Sequence, residues 1–119
     1  MNSKPEDLKI RTKRFALQMI KIFSELPKST IAQILGKQVL RSGTSVGANY
    51  REASRSRTKA EFIAKIGDCL KEIDETEYWL ELLLESHCVS EERMASLIDE
   101  TRQLIAIFTS IDKKAKSCR

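Results

Sequence analysis

An all-α, antiparallel up-down-up-down four-helix bundle is predicted by three features of this 119-residue chain. Apolar residues recur at three- and four-residue spacing through four long segments. The breaks between them are short, which makes sequential helices antiparallel neighbours. Gly and Pro number only four and two, too few for a loop-rich or all-β chain. The length fits a single domain over 1–119, able to bury roughly two-thirds of its unfolded surface. No internal repeat or low-complexity tract interrupts it.

The first helix is expected over about Asp7–Leu26, with Asp7 as N-cap and Leu8, Phe15, Met19, Ile22, Phe23 and Leu26 facing inward. Pro27 stops it by driving the preceding residue out of the α region. Thr30 with Gln33 reads as a capping box that opens the second helix, about 30–54. Its inward stripe begins Ile31, Ile34, Leu35, Val39 and continues Ser42, Val46, Asn49, Ala53.

Residues 41–53 can also be read as a loop, being rich in small and polar groups. Gly43 and Gly47 each cost a helix about 1 kcal/mol relative to Ala. Against that, no proline intervenes and the stripe stays in phase from Ile31 to Ala53. Unbroken periodicity is the stronger signal, so one continuous helix is expected, with a face stripped of bulk for close approach by a neighbour. That neighbour can be internal or another subunit; spacing does not choose.

The break falls at 54–57, with Ser56 or Thr58 capping a third helix of about 58–86. Its inner face is Phe62, Ile63, Ile66, Cys69, Leu70, Ile73, Leu80, Leu83 and Leu84. Ser90 caps the fourth helix, about 90–114, where Glu91 and Glu92 complement the N-terminal dipole and Val89 can staple against Met94. Met94, Leu97, Ile98, Thr101, Leu104, Ile105, Phe108 and Ile111 give that helix its period.

The net charge of +4 is unevenly spread. Residues 1–28 carry +4, 37–59 carry +5, 61–100 carry −9 and 101–119 carry +4. Such segregation suits head-to-tail docking of copies, or one basic surface for a polyanion. The N-terminus has no apolar stretch and no run approaches the ~20 residues of a membrane span. Cys69, Cys88 and Cys118, odd in number and without metal-type spacing, fit reduced thiols. A cytoplasmic protein with no membrane segment, metal or cofactor is expected.

Arg41, Asn49, Glu52 and Glu77 are polar groups at or beside the apolar seams. A charge at Glu77, between Ile73 and Leu80, must be paired or reach solvent, and an Arg41–Glu77 pair with Asn49 fixing register accounts for it structurally. Consecutive Tyr78 and Trp79 cannot both face the core, so one, preferentially Trp79, is expected at a subunit contact or lying half-exposed on Lys and Arg stems. Arg51, Arg55, Arg57 and Lys59 cluster where the second helix meets the third. There is no phosphate loop, dinucleotide fingerprint, zincin or nucleophile-elbow motif, no Glu-x-x-His pair, and the lone His87 lies in a turn. The chain therefore reads as non-enzymatic, with no catalytic residue.

The string Leu40-Arg41-Ser42-Gly43-Thr44-Ser45-Val46-Gly47-Ala48-Asn49, then Arg51-Glu52-Ala53, resembles the signature of the 23S rRNA-intervening-sequence proteins, also labelled S23 ribosomal proteins. A second block agrees: Lys59, Phe62, Ile63, Lys65, Leu70, Lys71, Glu72, then Glu75-Thr76-Glu77-Tyr78-Trp79-Leu80 and Leu83. Phe23-Leu26-Pro27-Lys28 matches the first turn, so the likeness covers roughly 15–84. It implies an antiparallel four-helix bundle assembled as a homopentamer. It also implies similarity to the accessory variability determinant proteins of diversity-generating retroelements, pentamers that bind nucleic acid and a reverse transcriptase. The function expected is an oligomeric bundle binding RNA or DNA phosphates through Lys37, Arg51, Arg55, Arg57 and Lys59, with Lys13 and Arg14 as further candidates. The alternative is a structural adaptor that recruits a protein partner.

Overall fold

The computed structural model describes residues 5–117, with side chains from Leu8 onward. Four helices follow in order: α1 (Pro5–Glu25), α2 (Thr30–Ser54), α3 (Lys59–Glu85) and α4 (Glu91–Ser117). Side-chain contacts fix their directions. Gly47 lies against Thr12 while Gly36 lies against Phe23 and Leu26, so α1 and α2 are antiparallel. Ser42 meets Thr76 and Glu52 meets Lys65, which reverses α3 on α2. Arg11 reaches Glu100 and Glu25 reaches Arg93, which places α4 antiparallel beside α1. The result is an up-down-up-down bundle, 50 × 26 × 20 Å.

Local chemistry sets the helix ends. α1 starts at Pro5, two residues before the expected cap at Asp7. Proline is pre-organised for a first turn, where its missing N–H costs nothing. The cap of α2 is Ser29 rather than Thr30: its hydroxyl accepts from the Ala32 N–H at 3.2 Å. Gln33 instead donates its side-chain amide to the Pro27 carbonyl at 2.8 Å. Thr58 caps α3 by accepting from the Glu61 N–H, and Glu61 accepts from the Arg57 N–H, both at 3.0 Å. His87 takes the left-handed conformation (φ 63°) and closes α3. The Cys88 N–H donates to Leu83 and the His87 N–H to Leu84, the paired bonds of a Schellman motif. Ser90 caps α4 through the Arg93 N–H.

Residues 41–53 are helical throughout, as the unbroken period predicts. The close neighbour of their small face is α1. A Cβ on Gly43 would overlap the Met19 side chain, and one on Gly47 would sit 3.2 Å from Thr12 Oγ1. Gly36, not singled out from the sequence, does the same work about two turns nearer the α1–α2 connection than Gly43, against Leu26 and Phe23. The inward face of α2 therefore runs Ala32, Gly36, Val39, Ser42, Gly43, Val46, Tyr50, Ala53. Ile31 and Ile34, expected inside, are 62% and 58% exposed, and Asn49 sits half-buried beside the inward Tyr50. Small residues mark the buried side here, so hydrophobicity alone misplaces the first turn.

Phe15, Met19, Ile22, Ile66, Ile73, Leu80, Leu83, Leu97, Leu104 and Phe108 form the centre of the core. Tyr50 and Phe108 meet edge-on across it at 5.8 Å. Within it the Thr76 and Ser42 hydroxyls are hydrogen-bonded at 2.8 Å, and Thr76 also reaches the Glu72 carbonyl. Thr76 fills the inner slot between Ile73 and Leu80, which puts Glu77 at the seam with α4. The expected Arg41–Glu77 pair is accordingly replaced. Arg41 bonds Glu75 (2.7 Å) and Glu72 (3.2 Å) on the α2–α3 side, and Glu77 accepts from Arg102 of α4 at 2.8 Å. Residues 75 and 77 are two apart on a helix and cannot point at the same neighbour.

Candidate nucleic-acid interface

A groove of about 470 Å³ runs along the outer α1–α2 seam near the start of α1 and the end of α2. Its floor is Thr12, Ala16, Thr44, Gly47 and Ala48, and the groove exists because these residues are small where two helices press together. The face that the glycines strip of bulk thus becomes a cleft where it meets solvent.

Four cations edge it: Lys9 and Lys13 from α1, Arg51 from the last turn of α2 and Arg55, the residue that caps its C-terminus. Each pair is four residues apart, so the two charges stand about 6 Å apart along one helix face. All four are exposed, and no ion pair engages them among the described residues. One acid, Glu52, also lines the groove, and Lys65 of α3 pairs with it at 2.5 Å. That hydrogen bond raises the Lys65 pKa, and with four cations against one paired carboxylate the groove stays positive. By contrast, Arg11, Arg41, Arg93 and Arg102 are all spent on inter-helix carboxylates.

The predicted residues divide accordingly. Lys13, Arg51 and Arg55 come together in the groove. Arg57 and Lys59 are exposed at the α2–α3 connection, at the same end of the bundle but outside it. Lys37 lies about 20 Å from Arg51 along α2, far from the cluster. Arg14 faces the other side of α1, where it lines a shallow depression with Asp99 and Glu100. Lys9 was missed, although its position one turn before Lys13 on the polar face was a usable signal. Gly43 and Gly47 are packing residues, Gly47 also flooring the groove.

Trp79 is half-buried against the core, and Tyr78 is the ring turned outward, 55% exposed; the two meet edge-on at 5.1 Å. The Trp79 Nε1 is buried without a hydrogen-bond partner among the described residues. Of the thiols, Cys69 is buried, donates to the Val46 carbonyl at 3.6 Å, and is pushed up to about 12 by desolvation. Cys88 is half-buried, in no disulfide and 3.4 Å from Ser86 Oγ, and Cys118 lies outside the described residues. Among the described residues no helix is long and apolar enough to cross a membrane, and no His, Cys, Asp or Glu cluster is arranged to hold a metal.

Fold and groove define the class: an all-α antiparallel four-helix bundle with a cationic cleft between its first two helices. The model of the family described as 23S rRNA-intervening sequence protein matches residues 6–110, and the chain belongs to that family. Among solved structures, it is similar to a protein of unknown function from the S23 ribosomal protein family of Bacteroides thetaiotaomicron. The two share 36% identity at a TM-score of 0.86, over 93% of this chain and 99% of that one. No curated protein matches the chain.

Proposed function

We propose that this chain is a non-enzymatic, homo-oligomeric bundle of the cytoplasm that binds RNA or DNA through backbone phosphates in the α1–α2 groove. The observation that carries this reading is the unpaired set Lys9, Lys13, Arg51 and Arg55 around one cleft, in a molecule whose other inter-helix arginines are neutralised. Exposed cations held near each other without counter-charges attract a polyanion and gain from release of its condensed ions. No aromatic ring lines the groove, so base stacking contributes nothing and binding is indifferent to sequence. Assembly as a pentamer, which the family resemblance implies, sets five such grooves on one particle and multiplies a weak site into useful avidity.

Fluorescence anisotropy with labelled duplex and single-stranded oligonucleotides tests this. Four phosphate contacts per groove give a log–log salt slope of about −3.6 on duplex DNA and about −2.8 on single strands. Arg51→Glu with Arg55→Glu is expected to abolish binding, whereas Lys37→Glu leaves it within about twofold. Absence of binding at low salt, or equal loss from the Lys37 change, rejects the groove as the site.

A further inference from the structure

Ile10, Leu17 and Ile20 point out from α1 with 57%, 56% and 48% exposure. Ile10 and Leu17 are seven residues apart on one face, with Ile20 beside them. Single exposed aliphatics are ordinary, but three on one helix face indicate a covered surface. Lys13, Arg14 and Lys21 flank them, exposed and without ion-pair partners among the described residues, and α1 carries no acidic residue from Leu8 to Ser24. Two such faces brought together would oppose like charges, which disfavours a two-fold contact through α1 alone.

The opposite charge stands on α3. Gly67, Asp74, Tyr78 and Glu85 fall on one outward line at spacings of seven, four and seven, with Asp68 beside it; the exposed Lys71 stands on the same line, so three acids there outweigh one cation. Asp68, Asp74 and Glu85 are exposed and have no ion-pair partner among the described residues. Gly67 is a mid-helix glycine whose Cβ would meet nothing within 4 Å, so nothing inside the chain offsets its helix cost. Tyr78, about three turns further along the same line, supplies an exposed ring for an aliphatic contact.

We propose that the Ile10–Leu17–Ile20 face of α1 in one copy docks on the Gly67–Asp74–Tyr78 face of α3 in a second copy. The contact is heterologous, so each chain offers both surfaces and successive copies close a ring or extend a chain. The inference rests on the oligomeric reading above and assigns its surfaces; they share Lys13 with the groove and leave Lys9, Arg51 and Arg55 untouched.

Charge exchange tests it, read by light scattering on a sizing column with circular dichroism to check helix content. Arg14→Glu with Lys21→Glu, and separately Asp68→Lys with Asp74→Lys, are each expected to reduce the particle to the 13.6 kDa chain. Mixing the two variants restores opposite charges wherever unlike copies meet, at most four of the five contacts in a ring of five, and is expected to return a larger particle. A wild-type chain that runs at 13.6 kDa overturns both the surfaces and the oligomer. A wild-type oligomer that survives both reversals overturns the surfaces alone, and the salt titration of the groove judges the nucleic-acid reading separately.

Discussion

Gly43 and Gly67 both sit inside a helix, yet their surroundings demand opposite responses to the same added methyl. Within one chain a Cβ at Gly67 enters open space, so Gly67→Ala, made in the Arg14→Glu, Lys21→Glu background that removes the contact between copies, gains the helix propensity difference, about 0.5–1 kcal/mol. At Gly43 it collides with the middle of the fully buried Met19, and overpacking of about 1–3 kcal/mol outweighs that gain. Gly43→Ala is therefore expected to destabilise by about 1 kcal/mol in urea unfolding followed by circular dichroism, and a shared sign at the two sites contradicts the packing argument. At this scale the sequence was legible where a residue has one role. Gly43 and Gly47 advertised close packing because glycine in a helix needs a reason. Arg41 and Glu77 were identified as needing partners, but their pairing depends on which flank of α3 each carboxylate occupies. A two-residue difference, Glu75 against Glu77, sends them to opposite neighbours.

Among the elements, α2 is the one whose reading mattered most, and its continuity from Thr30 to Ser54 follows from the absence of proline and the stripe held in phase. Its first turn was less legible. Ile31 and Ile34 look like the start of the stripe because they are large and apolar, whereas Ala32 and Gly36 are the residues turned inward. Close α1–α2 packing selects small groups there and leaves the isoleucines outside. The same shift moves the cap one residue back, since Ser29 has the extended backbone (φ −65°, ψ 155°) that lets its side chain turn onto the free N–H of Ala32. Ser29→Ala is expected to cost about 1 kcal/mol of stability and Thr30→Ala no more than about 0.5 kcal/mol. Thermal melts of the two variants check this; a larger loss at Thr30 would return the cap to the position its capping-box pattern suggests.

For the whole molecule, segregated charge was visible in the sequence, but the division between spent and unspent charge was not, because it is created by packing. Twenty-one Lys and Arg residues look alike along the chain. The bundle ties four arginines to carboxylates across its seams and leaves four cations around one cleft. The seams themselves are unequal. Backbones approach closely between α1 and α2, α2 and α3, and α3 and α4, while no comparable approach joins α1 to α4. That last seam is held by long side chains: Arg11 donates to both oxygens of Glu100 at 2.8 Å and to Gln103 at 2.8 Å, and Arg93 donates to Glu25 at 2.9 Å. With Arg11 and Glu100 each about a quarter exposed, solvent screens the pair, so its worth is nearer 1 kcal/mol than a buried bridge's several. A seam of that strength opens before the glycine-packed one, so native-state hydrogen exchange is expected to release the outer amides of α4 ahead of those of α2. Arg11→Ala should widen that gap by about 1 kcal/mol in α4 while leaving α2 unchanged, because the Gly36, Gly43 and Gly47 contacts with α1 do not pass through Arg11. Uniform acceleration across all four helices would instead make the bundle one cooperative unit in which the α1–α4 side chains act on global stability alone.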